Sequence, residues 1–172
     1  VEEKMYIIDL KDLRNDVERR SYHLDDAFFS GLDGKDIKGG NVDAEVEVRK
    51  SGDAFEMTLR CEGVVTVVCD RCLDDMTEDV FTEEVIPVRF GHDNEDSGDA
   101  VIVSEEEGLL DIAWLMYELI SLSLPMQHVH EDGLCNKEMM TRLAEHSANV
   151  HADGESTADP RWNELKKILD NN

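Results

Sequence analysis

Cys69 and Cys72 stand two residues apart in TVVCDRCLDDM (66–76), and QHVHEDGLC (127–135) gathers His128, His130 and Cys135 into one short stretch. Sulfur and imidazole ligands suit zinc, and a C-x-x-C pair is half of a common zinc-binding pattern. His130 and Cys135, with four residues between them, supply a workable second half. Cys69, Cys72, His130 and Cys135 then form a Cys3His set of the kind that holds a structural ion. A redox thiol pair is the competing chemistry. It asks for a helix N-terminus whose dipole favours a thiolate, whereas Asp70, Asp74 and Asp75 surround these cysteines and disfavour a second anion. A divalent cation reverses that balance, because its charge makes thiolates and carboxylates favourable neighbours. Without a metal, Cys69 and Cys72 are small hydrophobes closing a strand and the histidines are simply exposed. Spacing alone leaves zinc and this plainer reading level.

No other constellation points to a reaction. The chain has no G-x-S-x-G, no Walker loop and no H-E-x-x-H. Paired carboxylates such as Asp74-Asp75 and Glu83-Glu84 read more cheaply as a solvated acidic face than as acid and base. Arg71, between the two cysteines, has the chemistry to meet a phosphate or to pair with Asp74, and the density of acids favours the pair.

The elements that must position these residues sit in a chain of 172 residues, enough for one domain with a real core. Its 41 acidic against 17 basic residues give a net charge of -24. Phosphate contacts come from Lys and Arg, so this balance argues against non-specific binding of DNA or RNA. It fits a basic partner, and equally a solvated acidic surface with no partner. No apolar run is long enough to span a membrane, and VEEKMYIIDLKD lacks the basic and apolar regions of a signal peptide. With four cysteines, the expected setting is a reducing cytoplasm.

Hydrophobic periodicity predicts an α+β fold. MYIIDLKDL has a strand-like centre and is followed by a charged stretch through Arg20, while Phe28, Phe29 and Leu32 seat a short helical turn ended by Gly39-Gly40-Asn41. Val42, Ala44, Val46 and Val48 then alternate with polar residues. Ser51-Gly52-Asp53 signals a hairpin, and Phe55, Met57, Leu59 and Cys61 answer on the next strand. Glu62-Gly63 reads as another turn before a third strand, VVTVVC, and TEDVFTEEVIPVRF as a fourth with Ile86, Val88 and Phe90 on one face. Pro87 places that strand at an edge or bulge. The expected sheet is an antiparallel meander, with AVIVSEE as one more strand. Residues 91–100 form an acidic loop. An amphipathic helix over 112–122, capped by Asp111 and closed by Pro125, is expected to pack across the sheet. KEMMTRLAEH suggests a short helix, 147–158 a flexible linker, and Asp159-Pro160 the start of a C-terminal helix carrying Trp162, Leu165, Ile168 and Leu169. The expected organisation is a single domain over 1–172.

Taken in order, C-D-R-C-L after a valine-rich strand, D-I-A-W-L-M-Y-E-L-I-S-L-S-L-P, V-H-E-D-G-L-C and D-P-R-W-N-E-L-K-K-I-L resemble the YceD family from about residue 40 to the end. The family consists of large ribosomal RNA subunit accumulation proteins. The resemblance implies a cytoplasmic, non-catalytic protein that supports accumulation of 23S rRNA through ribosome assembly. Its partner would be the large-subunit precursor, through a basic ribosomal protein or rRNA within it. Carried over by position, Cys69, Arg71 and Cys72 match the first motif, Glu118 the acidic residue of the helix, and His130 with Cys135 the loop. Arg71 and Glu118 are the candidate partner-binding residues. Many relatives continue into a further cysteine-rich ribbon, where this chain has KEMMTRLAEHSANVHADGEST, so one four-ligand site is the most it can build. A different class of function, a metal- or thiol-dependent regulator unrelated to ribosomes, would use the same residues as a sensor.

Overall fold

The computed structural model describes residues 3–13, 17–91 and 99–147. In chain order these form β1 (Ile7–Asp9), β2 (Val17–Leu24), α1 (Asp26–Gly31), β3 (Gly39–Ser51), β4 (Ala54–Val68), β5 (Asp75–Gly91), β6 (Val101–Ser104), β7 (Leu109–Asp111), α2 (Ala113–Ser123) and α3 (Lys137–His146). Two compact units make up the chain, Val1–Lys137 and Glu138–Asn172. Among the described residues no helix is long and apolar enough to cross a membrane.

The period-two pattern does what it should. Gly52 takes φ 65 in the two-residue turn between Ser51 and Ala54, and β3 and β4 pair from there in antiparallel register. Val42, Ala44, Val46 and Val48 of β3 and Phe55, Met57, Leu59 and Cys61 of β4 all point into one buried face. α1 and α2 cover that face. Asp25 caps α1 by accepting from the backbone N–H groups of Ala27 and Phe28, and Phe29 reaches toward Tyr117 of α2, ring centroids 6.5 Å apart. Met116, Tyr117, Leu119 and Ile120 bury α2. Each fully buried side chain of this size contributes roughly 1.5–3 kcal/mol over an exposed one, so this face is the main source of stability.

The class is α+β, but the sheet is mixed. Its order is β2-β3-β4-β5-β6, with β6 parallel to β5 and the other pairs antiparallel. Several local expectations also change. The charged stretch before Arg20 leads into a strand, β2, because cross-strand ion pairs replace apolar alternation on an edge: Arg19 meets Glu47 at 2.6 Å and His23 meets Asp43 at 2.8 Å. Gly39-Gly40-Asn41 starts β3 instead of ending a helix, and Gly40 donates its N–H to Asp26 at 2.9 Å. Glu62-Gly63 is no turn. β4 runs unbroken for 15 residues, and a side chain at Gly63 would collide with the backbone of Asn41 and Val42 on β3. The glycine permits close strand approach. β7, unforeseen in Leu109–Asp111, pairs with β1 in a separate two-stranded sheet.

Helix α2 begins at Ala113, with Ile112 at the capping position, although the Asp111 carboxylate still accepts from the Ala113 N–H at 2.9 Å. It is apolar on more than one side, since Trp114 and Leu122 are exposed. In the second unit α3 carries an Arg142–Glu138 ion pair at 2.7 Å one helical turn apart. The expected helix from Asp159, the linker apart from Ser147, and 92–98 of the acidic loop lie outside the described residues.

Candidate metal centre

The inward-facing register of β4 carries one position past the strand, to Cys69, which is fully buried with Cys72 beside it. A tight turn closes there. Leu73 donates its N–H to the Cys69 carbonyl, and Cys69 donates its own to the Asp74 carbonyl, both at 2.9 Å. Leu73 sits at φ 64, the left-handed region that a side chain enters at a cost of about 1–2 kcal/mol. That conformation turns the chain sharply enough to return Cys72 toward Cys69.

The second half is a loop held against this turn by reciprocal bonds. Asp70 donates its N–H to the His128 carbonyl at 2.7 Å, and the Asp70 carboxylate accepts the His128 N–H at 2.8 Å. Farther along, the Asn136 side chain donates to the Asp74 carboxylate at 3.1 Å. Between these fastenings Gly133 takes φ 87 and Leu134 bonds back to the Glu131 carbonyl, which brings His130 and Cys135 inward. Asp75 is occupied elsewhere, in an ion pair with Lys38 at 2.5 Å.

The acids around the cysteines are therefore fasteners. Sequence reasoning assigned Asp74 to Arg71, but Asp74 takes Asn136, and Arg71 is exposed with no ion pair among the described residues. Nothing in the local sequence signals these partners, because the donors for Asp70 and Asp74 come from the loop about 60 residues downstream.

Cys69, Cys72, His130 and Cys135 converge, with their ligand atoms all within 4.8 Å of one another. Cys69 Sγ lies 3.9 Å from Cys135 Sγ, His130 Nδ1 lies 3.4 Å from Cys72 Sγ, and Cys135 Sγ lies 3.9 Å from His130 Nδ1. A tetrahedron with zinc–sulfur bonds of about 2.3 Å and zinc–nitrogen bonds of about 2.0 Å has edges of about 3.8 Å between sulfurs and about 3.5 Å from sulfur to nitrogen. The Cys69–Cys135 and Cys72–His130 separations match those edges, while Cys135–His130 at 3.9 Å is longer, so the cluster is slightly more open than a closed zinc tetrahedron. The separations are also far from the ~2.05 Å of a disulfide, and all four cysteines are free. His128, the other histidine of the loop, stays out of the cluster, its Nδ1 buried without a hydrogen-bond partner among the described residues.

The backbone prepares the site for a thiolate. Burial works against ionising Cys69, but the backbone N–H groups of His130, Cys72 and Arg71 point at its sulfur, and together with the Cys72 side chain they bring the thiol down to about 6. Burial, reinforced by the neighbouring Cys69 and Cys72 sulfurs, pushes Cys135 up to about 11. One negative charge is thus stabilised in advance, and the Cys135 thiol needs a cation to ionise. Cys61 belongs to the core under the sheet, and burial raises it to about 12.

The two candidate partner-binding residues lie outside this cluster. Arg71 is on the exposed surface of the cysteine turn, and Glu118 is on the exposed side of α2, facing a groove beside β5.

A sequence model of one protein family, described as "Large ribosomal RNA subunit accumulation protein YceD", matches residues 57–169, about two-thirds of the chain. No match was found among curated proteins or among solved structures.

Proposed function

Because the chain belongs to the YceD family, described by its role in large ribosomal RNA subunit accumulation, we propose that it is a non-catalytic, cytoplasmic factor in large-subunit biogenesis. It supports accumulation or processing of 23S rRNA by binding a basic ribosomal protein within the large-subunit precursor. One observation carries this reading. The family match over 57–169 takes in the Cys/His cluster and the whole of α2. The charge of -24 favours a basic protein over naked RNA as the direct contact, since an acidic surface speeds encounter with a basic partner and repels phosphate. Treating 1–172 as one YceD-like domain with a linker over 147–158 rests on the sequence motifs.

Zinc is the metal that a Cys3His set of these dimensions suits. Cys69, Cys72, His130 and Cys135 would hold it, and four protein ligands leave no open position for a reacting water, so its contribution is a cross-link between the cysteine turn and the loop after α2. The reading as a thiol sensor lacks support, because a reactive thiol needs access and Cys69 and Cys72 are buried. Ribosome sedimentation profiles of a deletion strain test the proposal. A deficit of large subunits, restored by the wild-type gene, is expected; an unaltered profile would refute it.

A further inference from the structure

Among the described residues, β5 offers an open sheet edge. It pairs with β4 along its length, but β6 joins its other flank only from Val88 to Gly91, so among the described residues nothing pairs with that flank from Asp75 to Pro87. Beside this edge, Thr82, Glu84 and Ile86 of β5 face Leu115, Leu119 and Leu122 of α2 across a groove of about 460 Å³. Leu122 is 77% exposed and Val85 is 54% exposed, so both offer apolar surface beside the edge. The rim is acidic: Glu84 and Asp99 line the groove with Glu118. Glu84 occupies an inward-facing register position on β5 and is nevertheless exposed, because the core is open there.

An inward-pointing charge on an edge strand discourages self-pairing. The same carboxylates do not discourage a strand that brings its own cations. An uncharged or acidic segment would bury them unpaired, at a cost that a basic one avoids.

We propose that the open edge of β5 and the groove beside α2 accept an extended basic segment of a protein partner, which adds a strand to the sheet. Its backbone pairs with β5 between Thr77 and Ile86. One apolar side chain enters the groove between Ile86 and Leu119, and its Lys or Arg residues meet Glu84, Glu118 and Asp99. The inference rests on the reading of a basic ribosomal partner and gives that partner a docking mode.

The probe is a ten-residue peptide in which Thr alternates with Lys or Val, so that one face of the added strand carries both Lys and Val; it is added to isotope-labelled protein loaded with zinc, with the Glu/Val counterpart as control. Amide shifts are expected along Thr77–Ile86 and α2, with slowed hydrogen exchange at alternate amides of β5. The Lys/Val peptide should bind at least 10-fold more tightly than the Glu/Val peptide, and E84Q combined with E118Q should weaken it about 5-fold. Equal binding of the two peptides, shifts without new amide protection, or no binding would each overturn the proposal. So would alternate β5 amides already protected in the free chain, which would show the edge covered by this chain itself or by a second copy. If the peptide fails while deletion still depletes large subunits, only the docking mode falls; if the peptide binds and the sedimentation profile is normal, the functional reading falls instead.

Discussion

The two ends of the long β4–β5 hairpin are built on opposite plans. Where the strands join, at Val68 and Asp75, the three acids of the turn are each tied to a partner: Asp70 to His128, Asp74 to Asn136 and Asp75 to Lys38. Toward the other end, from Thr82 to Pro87, β5 shows a flank that none of the described residues pairs with, and Glu84 and Glu118 stand at a groove without such ties among the described residues. The same residue type closes one region and guards the other. A carboxylate's role is set by which donors the backbone brings within reach, and composition alone says little about it.

The comparison breaks most visibly if the ion is removed. Zinc should be present at about one per chain in protein prepared without chelator, and C69S or C72S should abolish it. A ligand present at a thousandfold excess over its Kd stabilises by about 4 kcal/mol, which for a chain of this size lowers Tm by roughly 8–16 °C when lost. Elemental analysis and calorimetry test this; a C72S variant that retained zinc and Tm would show that the cluster holds no metal. Faster hydrogen exchange should appear in 128–136 and spare β3.

Next in size is the contrast between the acids. D70A removes the acceptor for the His128 N–H and should cost about 1–3 kcal/mol, whereas E84Q should stay within about 0.5 kcal/mol of wild type. Urea denaturation of the two variants compares them directly. Equal effects would erase the distinction between fastener and rim.

The pH dependence of the metal-free protein sharpens the closed end further. The Cys69 thiol lies at about 6 in the folded chain, below its ordinary value near 9. A depressed folded value contributes stability that is fully present above the unfolded value and is lost as pH falls through the folded one. Stability should therefore decline between about pH 9 and pH 6. Cys135 and Cys61, held at about 11 and about 12, stay protonated in the folded chain across that window; in the unfolded chain they begin to ionise only as pH nears their ordinary value of 9, so they oppose the slope at its upper end alone. The C69S variant should lose this slope. The smallest expected effect is L73G, which relieves the left-handed φ 64 of an exposed leucine and should change stability by about 1 kcal/mol or less.

The closed end was legible in its residues and illegible in its fastenings. Cys69, Cys72, His130 and Cys135 announce themselves because few other residues share their ligand chemistry, while Asp70 and Asp74 look like any acid in an acidic chain. The centre of the sheet was legible for a similar reason: alternation over Val42–Val48 and Phe55–Cys61 has one physical explanation. Edges were not. β2 satisfies its outward positions with charges, β7 is three residues long and too short to display a period, and β6 was read as a strand in AVIVSEE but not as a parallel neighbour of β5. Gly63 misled because a glycine marks both a turn and a close strand approach, and only the partner strand decides between them.

Parallel pairing of β6 puts a lower limit on the acidic connection before it. Val101 lies beside Val88, while β5 continues three residues beyond Val88 to Gly91, about 10 Å at strand rise. The chain must double back over that distance before it can pair in the same direction. At about 3.3 Å per extended residue, three or four residues cover the return, and the reversal itself takes a few more. The sequence supplies nine residues, 92–100, for that return. Insertions here should be tolerated cheaply, since doubling a loop costs only about 0.6 kcal/mol. Complete excision would leave β6 able to pair only in the opposite direction, with the buried Val103 moved to a new register.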